Sequence, residues 1–521
     1  MNILIGLIAP GRAWEDLCLQ EGVPFTTVDL STFSDVERCS ILVINRSLNS
    51  DERKSVQAYL EKGGAVLGSA AEMDGVAGTT SWKSRVEYMV PDEEAVFGEV
   101  SLMDIGKDCS IPREANALRI QTNSLALFAG PLLGGHAIIL PFSVAELSGD
   151  NRVADKSFYA SSDRLPSERV SLVSRGELRH LLHRSFEYLH HIRGIPYIHL
   201  WYFPEGSKNI FAFRVDTDGA PRKDIDDLYR IARDHDIPLT WFLDVKSHED
   251  WLHHFAFMAD HEMGVHCYEH LVYPDVQSNL VNIGRAKHLM EVAGVTPVGF
   301  AAPFGSWNTA LAEVTDKLGF SYASEFSFAY DTFPCYPLNN AIAFSTLQVP
   351  IHPICIGSLR KVGYSGRHMM EYFSMTAKRK LDRYEPLFFY HHPSHQRWEV
   401  VRSLFEFVKD RSITAMTLGR YASWWERRLS CRWEGFYVVE GEKPVIHVVS
   451  DGRIGADHWL HLTKPEGSES FTPFAGVLDL RALHWVPTPA SRAPADIRRI
   501  RDFDPRKMLR DVYERMVRRL R

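Results

Sequence analysis

Two short stretches of the chain hold residues whose types and spacing could do chemistry. Residues 261–270 read HEMGVHCYEH, with His266 and His270 four apart, and residues 213–220 read FRVDTDGA, with Asp216 and Asp218 two apart. On a strand the side chains alternate, so Arg214, Asp216 and Asp218 point one way while Val215 and Thr217 point the other. Two carboxylates on one face repel unless a cation or a proton lies between them. A histidine pair spaced i, i+4 can face one side of a helical turn and chelate a metal. Each stretch also has a plain reading, as a solvated Asp-Gly turn and as a satisfied pair of histidines. Taken together they offer one carboxylate and two imidazoles, three protein ligands that leave positions open for water and substrate, which is a catalytic rather than a structural arrangement. Zinc is the expected ion, and cobalt, iron, manganese and nickel also suit these donors.

The elements around these residues must bring them together. From 206 to 425, apolar strand-like runs (NIFAFRVDTD, PLTWFLDV, MGVH, VGFAAPFG, GFSYASEF, TLQVPIHPI, PLFFYHHP, SITAMTLG) alternate for the most part with helical segments such as KDIDDLYRIARDHDI. This is the pattern of a distorted (β/α) barrel, in which chemistry gathers at the C-terminal ends of the strands. The two aspartates, His266, the HHP of PLFFYHHP and the AAPFG turn all fall at such ends. Independent turns would not be expected to place so many acid–base residues on one rim.

With those motifs in order, residues 206–425 resemble the polysaccharide deacetylases (the NodB-homology, or carbohydrate esterase family 4, domain). The resemblance implies Asp216 as catalytic base and Asp218, His266 and His270 as ligands of one divalent metal. In FAAPFG, similar to the family's Arg-x-Pro-Tyr-Gly, it implies that Phe304 offers its backbone N–H to an oxyanion. In YDTFP it implies an orienting role for Asp331, and in FFYHHP a catalytic acid at His392, with His391 as the alternative. The chain departs from the family at Ala301, where the motif has arginine. Arg214, on the strand face of Asp216, is expected to supply the missing charge. The implied reaction is metal-dependent hydrolysis of an N-acetyl group on a sugar or glycan precursor, releasing acetate. Hydrolysis of a cyclic or other small amide and a carbohydrate-binding pseudoenzyme, which Ala301 would favour, are the alternatives. Trp241, Tyr268, Trp307 and Tyr390 could supply faces for sugar rings, although aromatics within such strands are more often core.

The remainder of the 521 residues frames this unit. Residues 1–150 alternate strands with a helix capped at Asn49 or Ser50 and ended by Gly63-Gly64, giving a doubly wound α/β unit. SILVINRSLNSDERKSVQAYLEKGGAVLGSA resembles the class I glutamine amidotransferase-like family. That family's cysteine elbow is missing where AVLGS runs into Ala70-Ala71, so a non-catalytic accessory is expected. Residues 151–205 read as a connector, and its histidines His180, His183, His190 and His191 as surface or packing residues. Residues 430–490 read as a small β-sandwich and 491–521 as a basic helix. From Asp496 onward the latter carries ten Lys or Arg against five Asp or Glu. Its composition suits a membrane surface or acidic partner, whereas its stripe of Leu509, Val512, Met516 and Leu520 suits packing on its own protein. A formal net charge of −7 argues against coating nucleic acid. Seven scattered cysteines without a disulfide pattern, no export signal and no long apolar run point to a cytoplasmic chain.

Overall fold

A computed structural model of the chain describes residues 1–91, 96–162, 164–339, 342–441 and 443–489, together with 500, 509, 512, 513 and 516. Apart from those isolated positions, the basic segment 491–521 lies outside the described residues. No described helix is long and apolar enough to cross a membrane.

The central unit is an eight-stranded sheet curved into an open half-barrel. Its main path runs Leu347–Gln348, Tyr322–Ala323, Gly299–Phe300, Glu262–Val265, Leu239–Leu243, Ile210–Asp216, Leu387–His391, every neighbouring pair parallel. Thr414–Ala415 pairs beside the start of Ile210–Asp216. Parallel pairing puts all strand ends on one rim, which is why residues far apart in sequence meet there. Ile210–Asp216 is buried along its whole length. Gly264 marks a close approach, since a Cβ there would lie 2.5 Å from the Phe242 ring and 2.7 Å from the carbonyl of Gly299. At the open seam the chain crosses as residues 349–354, tied by the His352 N–H donating to the Phe388 carbonyl (2.8 Å).

The N-terminal sheet has nine strands. Phe25–Thr27, Ile5–Leu7, Ile41–Ile44, Ala65–Ser69 and Gly135–Leu140 pair in parallel, and Leu125–Leu132, Ala117–Ile120, Ser81–Val90 and Met103–Pro112 extend it antiparallel. Helix Ser50–Glu61 starts at Asn49, whose side chain accepts from the N–H groups of Asp51 and Glu52 while Glu52 accepts from the Asn49 N–H. Such a cap is worth about 1 kcal/mol.

The stretch 151–205 does not run free as a connector would. Helix Arg175–His191 buries Leu178, Leu181, Leu182, Phe186 and Leu189 in one cluster with Ile5, Leu7, Ile41 and Val43. Tyr197–Leu200 pairs with Trp459–Lys464. The C-terminal strands form two four-stranded sheets, and each takes one strand from elsewhere: Tyr197–Leu200 in one, Asn2–Ile3 against Trp433–Glu440 in the other. Their shared core contains Ile3, Ile198, Leu200, Trp433, Ile446, Leu460 and Leu478.

Buried charge ties these parts together. The Glu21 carboxylate accepts from Arg179 (3.0 Å), Tyr197 (3.2 Å) and Tyr202, and pairs with His183. His199 contacts His461 (3.0 Å), which contacts Glu469 (3.1 Å). Arg428 donates to the carbonyls of Leu19, Gln20, Leu200 and Trp201. Glu21, His183 and His199 are close enough to hold a metal, but Glu21 already has a guanidinium and two hydroxyls on it, so the set is a structural network. Breaking a buried pair by removing one partner costs about 3–5 kcal/mol. Glu21→Gln is therefore expected to lower the unfolding free energy by that order in urea titrations; a change under about 1 kcal/mol, the scale of exposed pairs, would contradict this assignment.

Candidate metal centre

The strand Ile210–Asp216 delivers Arg214 and Asp216 to the inner face at its C-terminal end. Arg214 has no exposed surface, and its Nε and Nη2 donate to the two oxygens of Asp216 at 2.6 and 2.7 Å. Its Nη1 donates to Ser324 Oγ (3.2 Å), and its guanidinium stands 5.2 and 5.6 Å from the Phe242 and Tyr390 rings. The forked guanidinium thus fixes the carboxylate's orientation at two points. A carboxylate offers about four lone-pair sites, so Asp216 keeps acceptor capacity towards the rim.

Beyond Thr217 the chain turns, with Asp218 at φ 38° and Gly219 at φ 67°. Asp218 Oδ1 lies 3.1 Å from both His266 Nε2 and His270 Nε2, and its Oδ2 lies 3.3 Å from His392 Nε2. Burial would raise the carboxyl's pKa, but His392, His266 and His270 outweigh it and hold the group well below the usual carboxylate range. His266 faces the Ala301 carbonyl through Nδ1 at 2.6 Å. A carbonyl only accepts, so Nδ1 carries the proton and Nε2 presents its lone pair to the centre, the arrangement by which a ligating histidine is oriented.

His266 and His270 do not sit on a helical turn, as their spacing suggested. Residues 266–270 form an irregular loop in which Cys267 takes φ 67°. The reversal there brings the two rings to 5.1 Å. Helix Val276–Val292 holds the loop from outside: Asn282 accepts from the Glu269 N–H and donates to the carbonyls of Glu269 and Leu271, and Asn279 accepts from the Tyr273 N–H.

Strand alternation separates the adjacent histidines. His391 is fully buried, packed against Phe213 and Trp398, and burial keeps its pKa well below the ordinary histidine value. His392 is the one that meets Asp218. Burial disfavours its charged form, but Asp218, then Cys355 and Asp216, more than offset this and hold it up at about 10. Phe304 is 56% exposed at the rim, at φ 58°, with its ring edge-on to His270 at 5.1 Å.

Asp331 does not join this group. It is held by Lys380 (2.7 Å) and His352 (2.9 Å), which outweigh its burial and keep it ionised. It lines a cavity of about 920 Å³ between helix Gly366–Asp382 and residues 101–104 and 156–159. The orienting role expected for it is therefore withdrawn: its fully buried cation partner, Lys380, lies on that helix. Among the aromatics, Trp241 and Tyr390 are core, and Tyr268 is covered by Arg285 at 3.7 Å, whereas Trp307 is half-buried.

Sequence reasoning missed Glu325, Cys355 and His395. Glu325 is fully buried, accepts from the Ala302 N–H (3.1 Å), and burial pushes its carboxyl up to about 7. Cys355 and His395 lie behind His392. None of the three sits in a motif, and only the crossing of the seam brings Cys355 near.

Asp218, His266 and His270 offer one oxygen and two nitrogens that all lie within 4.8 Å of one another. With the tautomer of His266 set, this donor set fits a single divalent ion with open positions.

Residues 207–323 match the family model described as polysaccharide deacetylase, and the chain carries a domain of that kind. A peptidoglycan deacetylase of Helicobacter pylori (strain ATCC 700392 / 26695) is 27% identical over 135 residues, 25% of this chain and 43% of the relative. The chain thus matches less than half the length of that curated relative. A putative polysaccharide deacetylase from Mycobacterium smegmatis is 18% identical, covering 44% of this chain and 93% of its own with a TM-score of 0.38. Puue allantoinase is 15% identical, covering 43% and 92% with a TM-score of 0.37.

Ala301 is fully buried in the same apolar cluster as Phe242 and Tyr390, the rings that flank the Arg214 guanidinium. If Arg214 stands in for the motif arginine, a side chain at 301 and the Arg214 guanidinium compete for this one space. Ala301→Arg alone should destabilise by overpacking, about 1–3 kcal/mol, and Arg214→Ala by removing one partner of a buried pair, about 3–5 kcal/mol. The double variant should be more stable than the sum predicts by at least about 1 kcal/mol, since contacting sites couple by 0.5–3 kcal/mol. Additive effects in chemical denaturation would show that the two positions do not share this space.

Proposed function

We propose that the half-barrel is a metal-dependent N-deacetylase acting on an amino-sugar-containing glycan or glycan precursor and releasing acetate. The observation that carries this reading is Asp218 Oδ1 at 3.1 Å from the Nε2 atoms of both His266 and His270, two residues along the chain from a carboxylate clamped by Arg214. The match of residues 207–323 to the polysaccharide deacetylase model and the partial match to a peptidoglycan deacetylase support the substrate class.

Asp218, His266 and His270 would hold the ion, zinc being the expected one. When bound there, a divalent ion supplies Lewis-acid chemistry, activating a water and polarising an acyl carbonyl. Asp216 takes the proton of the attacking water, its orientation kept by the two hydrogen bonds from Arg214. Phe304, with its backbone at φ 58°, would offer its N–H to the developing oxyanion, where such a donor is worth roughly 3–4 kcal/mol. His392 holds the proton that the departing amine requires, since an amine does not leave as its anion. The exposed Phe304 ring offers an apolar face for a sugar at the rim. The N-terminal α/β unit is read as an accessory resembling amidotransferases: at the end of Ala65–Ser69 stand Ser69 and Ala70, and Cys18, Cys39 and Cys109 are all buried.

Metal analysis is expected to find about one equivalent at this centre, with the His266→Ala variant lacking it, as three-ligand catalytic sites require; unchanged content at the centre would overturn the ligand set. Asp216→Asn should keep the ion and lose at least about a hundredfold in acetate release from N-acetylated sugars, the usual scale for a general base. His392→Ala should fall comparably. Full activity in His392→Ala with loss in His391→Ala would reverse the assignment of the acid. Sugar binding without any acetate release would favour the pseudoenzyme reading that Ala301 suggests.

A further inference from the structure

Behind His392 lies a second cluster of donors that the proposed reaction does not use. Cys355 is buried and immediately precedes helix Ile356–Lys361, just after the chain has crossed the open seam. His395 ends the single turn Pro393–His395 that follows His392. One ligand atom from each of Cys355, His392 and His395 lies within 4.8 Å of the other two. The two imidazoles face each other at 5.0 Å and 64°. The Nδ1 atoms of both are buried and make no hydrogen bond among the described residues, a costly condition for a polar atom unless something else engages it.

Local packing presses these groups together. A Cβ on Gly357 would lie 2.3 Å from His395 Cε1, so the glycine after Ile356 is what lets the ring come down onto the start of the helix. Ser358 Oγ, at 3.6 Å from the sulfur, is the hydroxyl beside Cys355. A thiol and two imidazoles, one buried and two half-buried, are the donors of a tetrahedral zinc centre that still has one position for water.

We propose that Cys355, His392 and His395 form a second metal site, for a thiophilic divalent ion such as zinc, and that its occupancy takes His392 out of the reaction. On binding, the metal–sulfur bond forms as the Cys355 thiol releases its proton to solvent, the protonated His392 gives up a second proton in the same way, and both imidazoles bind as neutral ligands through their lone pairs. The ring nitrogen of His392 that coordinates can no longer carry a proton. The other N–H belongs to a neutral, metal-bound imidazole and does not protonate an amine near neutral pH. The first ion would thus be required and the second inhibitory. The inhibitory half of this proposal rests on the assignment of His392 above; the metal site itself does not.

Titration of the metal-free full-length chain with cobalt tests the site directly. The parent is expected to bind two equivalents, one of them producing a thiolate-to-cobalt charge-transfer band in the near ultraviolet. Cys355→Ser and His395→Ala should each bind one equivalent and lack the band. A parent that binds one ion and shows no thiolate band would overturn the site, as would a band that survives in Cys355→Ser. In parallel, excess zinc should slow the parent's acetate release by about a hundredfold, the scale of a lost general acid, and should slow Cys355→Ser far less. Equal inhibition of parent and variant would overturn the inhibitory role. If no acetate is released by any form, the deacetylase reading fails while the cobalt titration still decides whether the second site exists.

Discussion

The centre depends on one buried ion pair. Arg214 has no contact with solvent, and both of its donors facing Asp216 are spent on that carboxylate. Desolvating two charges is expensive and is offset only when the geometry is good and the remaining protons are satisfied. Here Ser324 takes another guanidinium proton, and the Phe242 and Tyr390 rings flank the cation on strands paired to either side of Ile210–Asp216. The pair is therefore a property of three adjacent parallel strands. It keeps Asp216 in place two residues before Asp218, and so sets the spacing between the carboxylate proposed to handle protons and the one proposed to hold metal.

The rest of the centre is built by loops that the scaffold pins down from outside. His270 reaches Asp218 because Cys267 reverses the chain and because Asn279 and Asn282 on the following helix fix the loop. The tautomer of His266 is decided by the Ala301 carbonyl, on the next strand end. His392 arrives from the edge strand beside the seam, and the seam brings Cys355 behind it. An incompletely closed barrel thus gives this rim a second layer of donors that a closed one would cover. Glu21 and Arg179 tie the N-terminal unit to the segment 151–205, and Arg428, on the helix Leu418–Ser430, ties that pair to the half-barrel side, so the parts share buried charge as well as apolar surface.

Much of the rim could be read from the sequence. Period-two alternation places Arg214 and Asp216 on one face whatever the tertiary context, because it is a property of the strand itself. The same rule parts His391 from His392. The helical reading of His266 and His270 missed because four-residue spacing does not distinguish a helical turn from a loop reversed at one left-handed residue. Asp331 missed because a loop carboxylate goes where its cation is, and Lys380 lies some fifty residues on. The first apolar run, NILIGLI, looked like one strand and is two: Asn2–Ile3 joins the C-terminal sheet and Ile5–Leu7 the N-terminal one. The antiparallel strands between 81 and 132 carried mixed polar patterns that gave no clear period, and the strand exchange between the first and last units leaves no local signal.

The proposed reaction needs a metal at Asp218, His266 and His270, and anomalous diffraction from crystals grown with zinc addresses it most directly. The expected result is a difference peak within about 2.0–2.2 Å of Asp218 Oδ1, His266 Nε2 and His270 Nε2, with the Arg214–Asp216 pair unchanged beside it. Crystals that hold zinc elsewhere while these three side chains stay as they are, with no peak between them, would contradict the account.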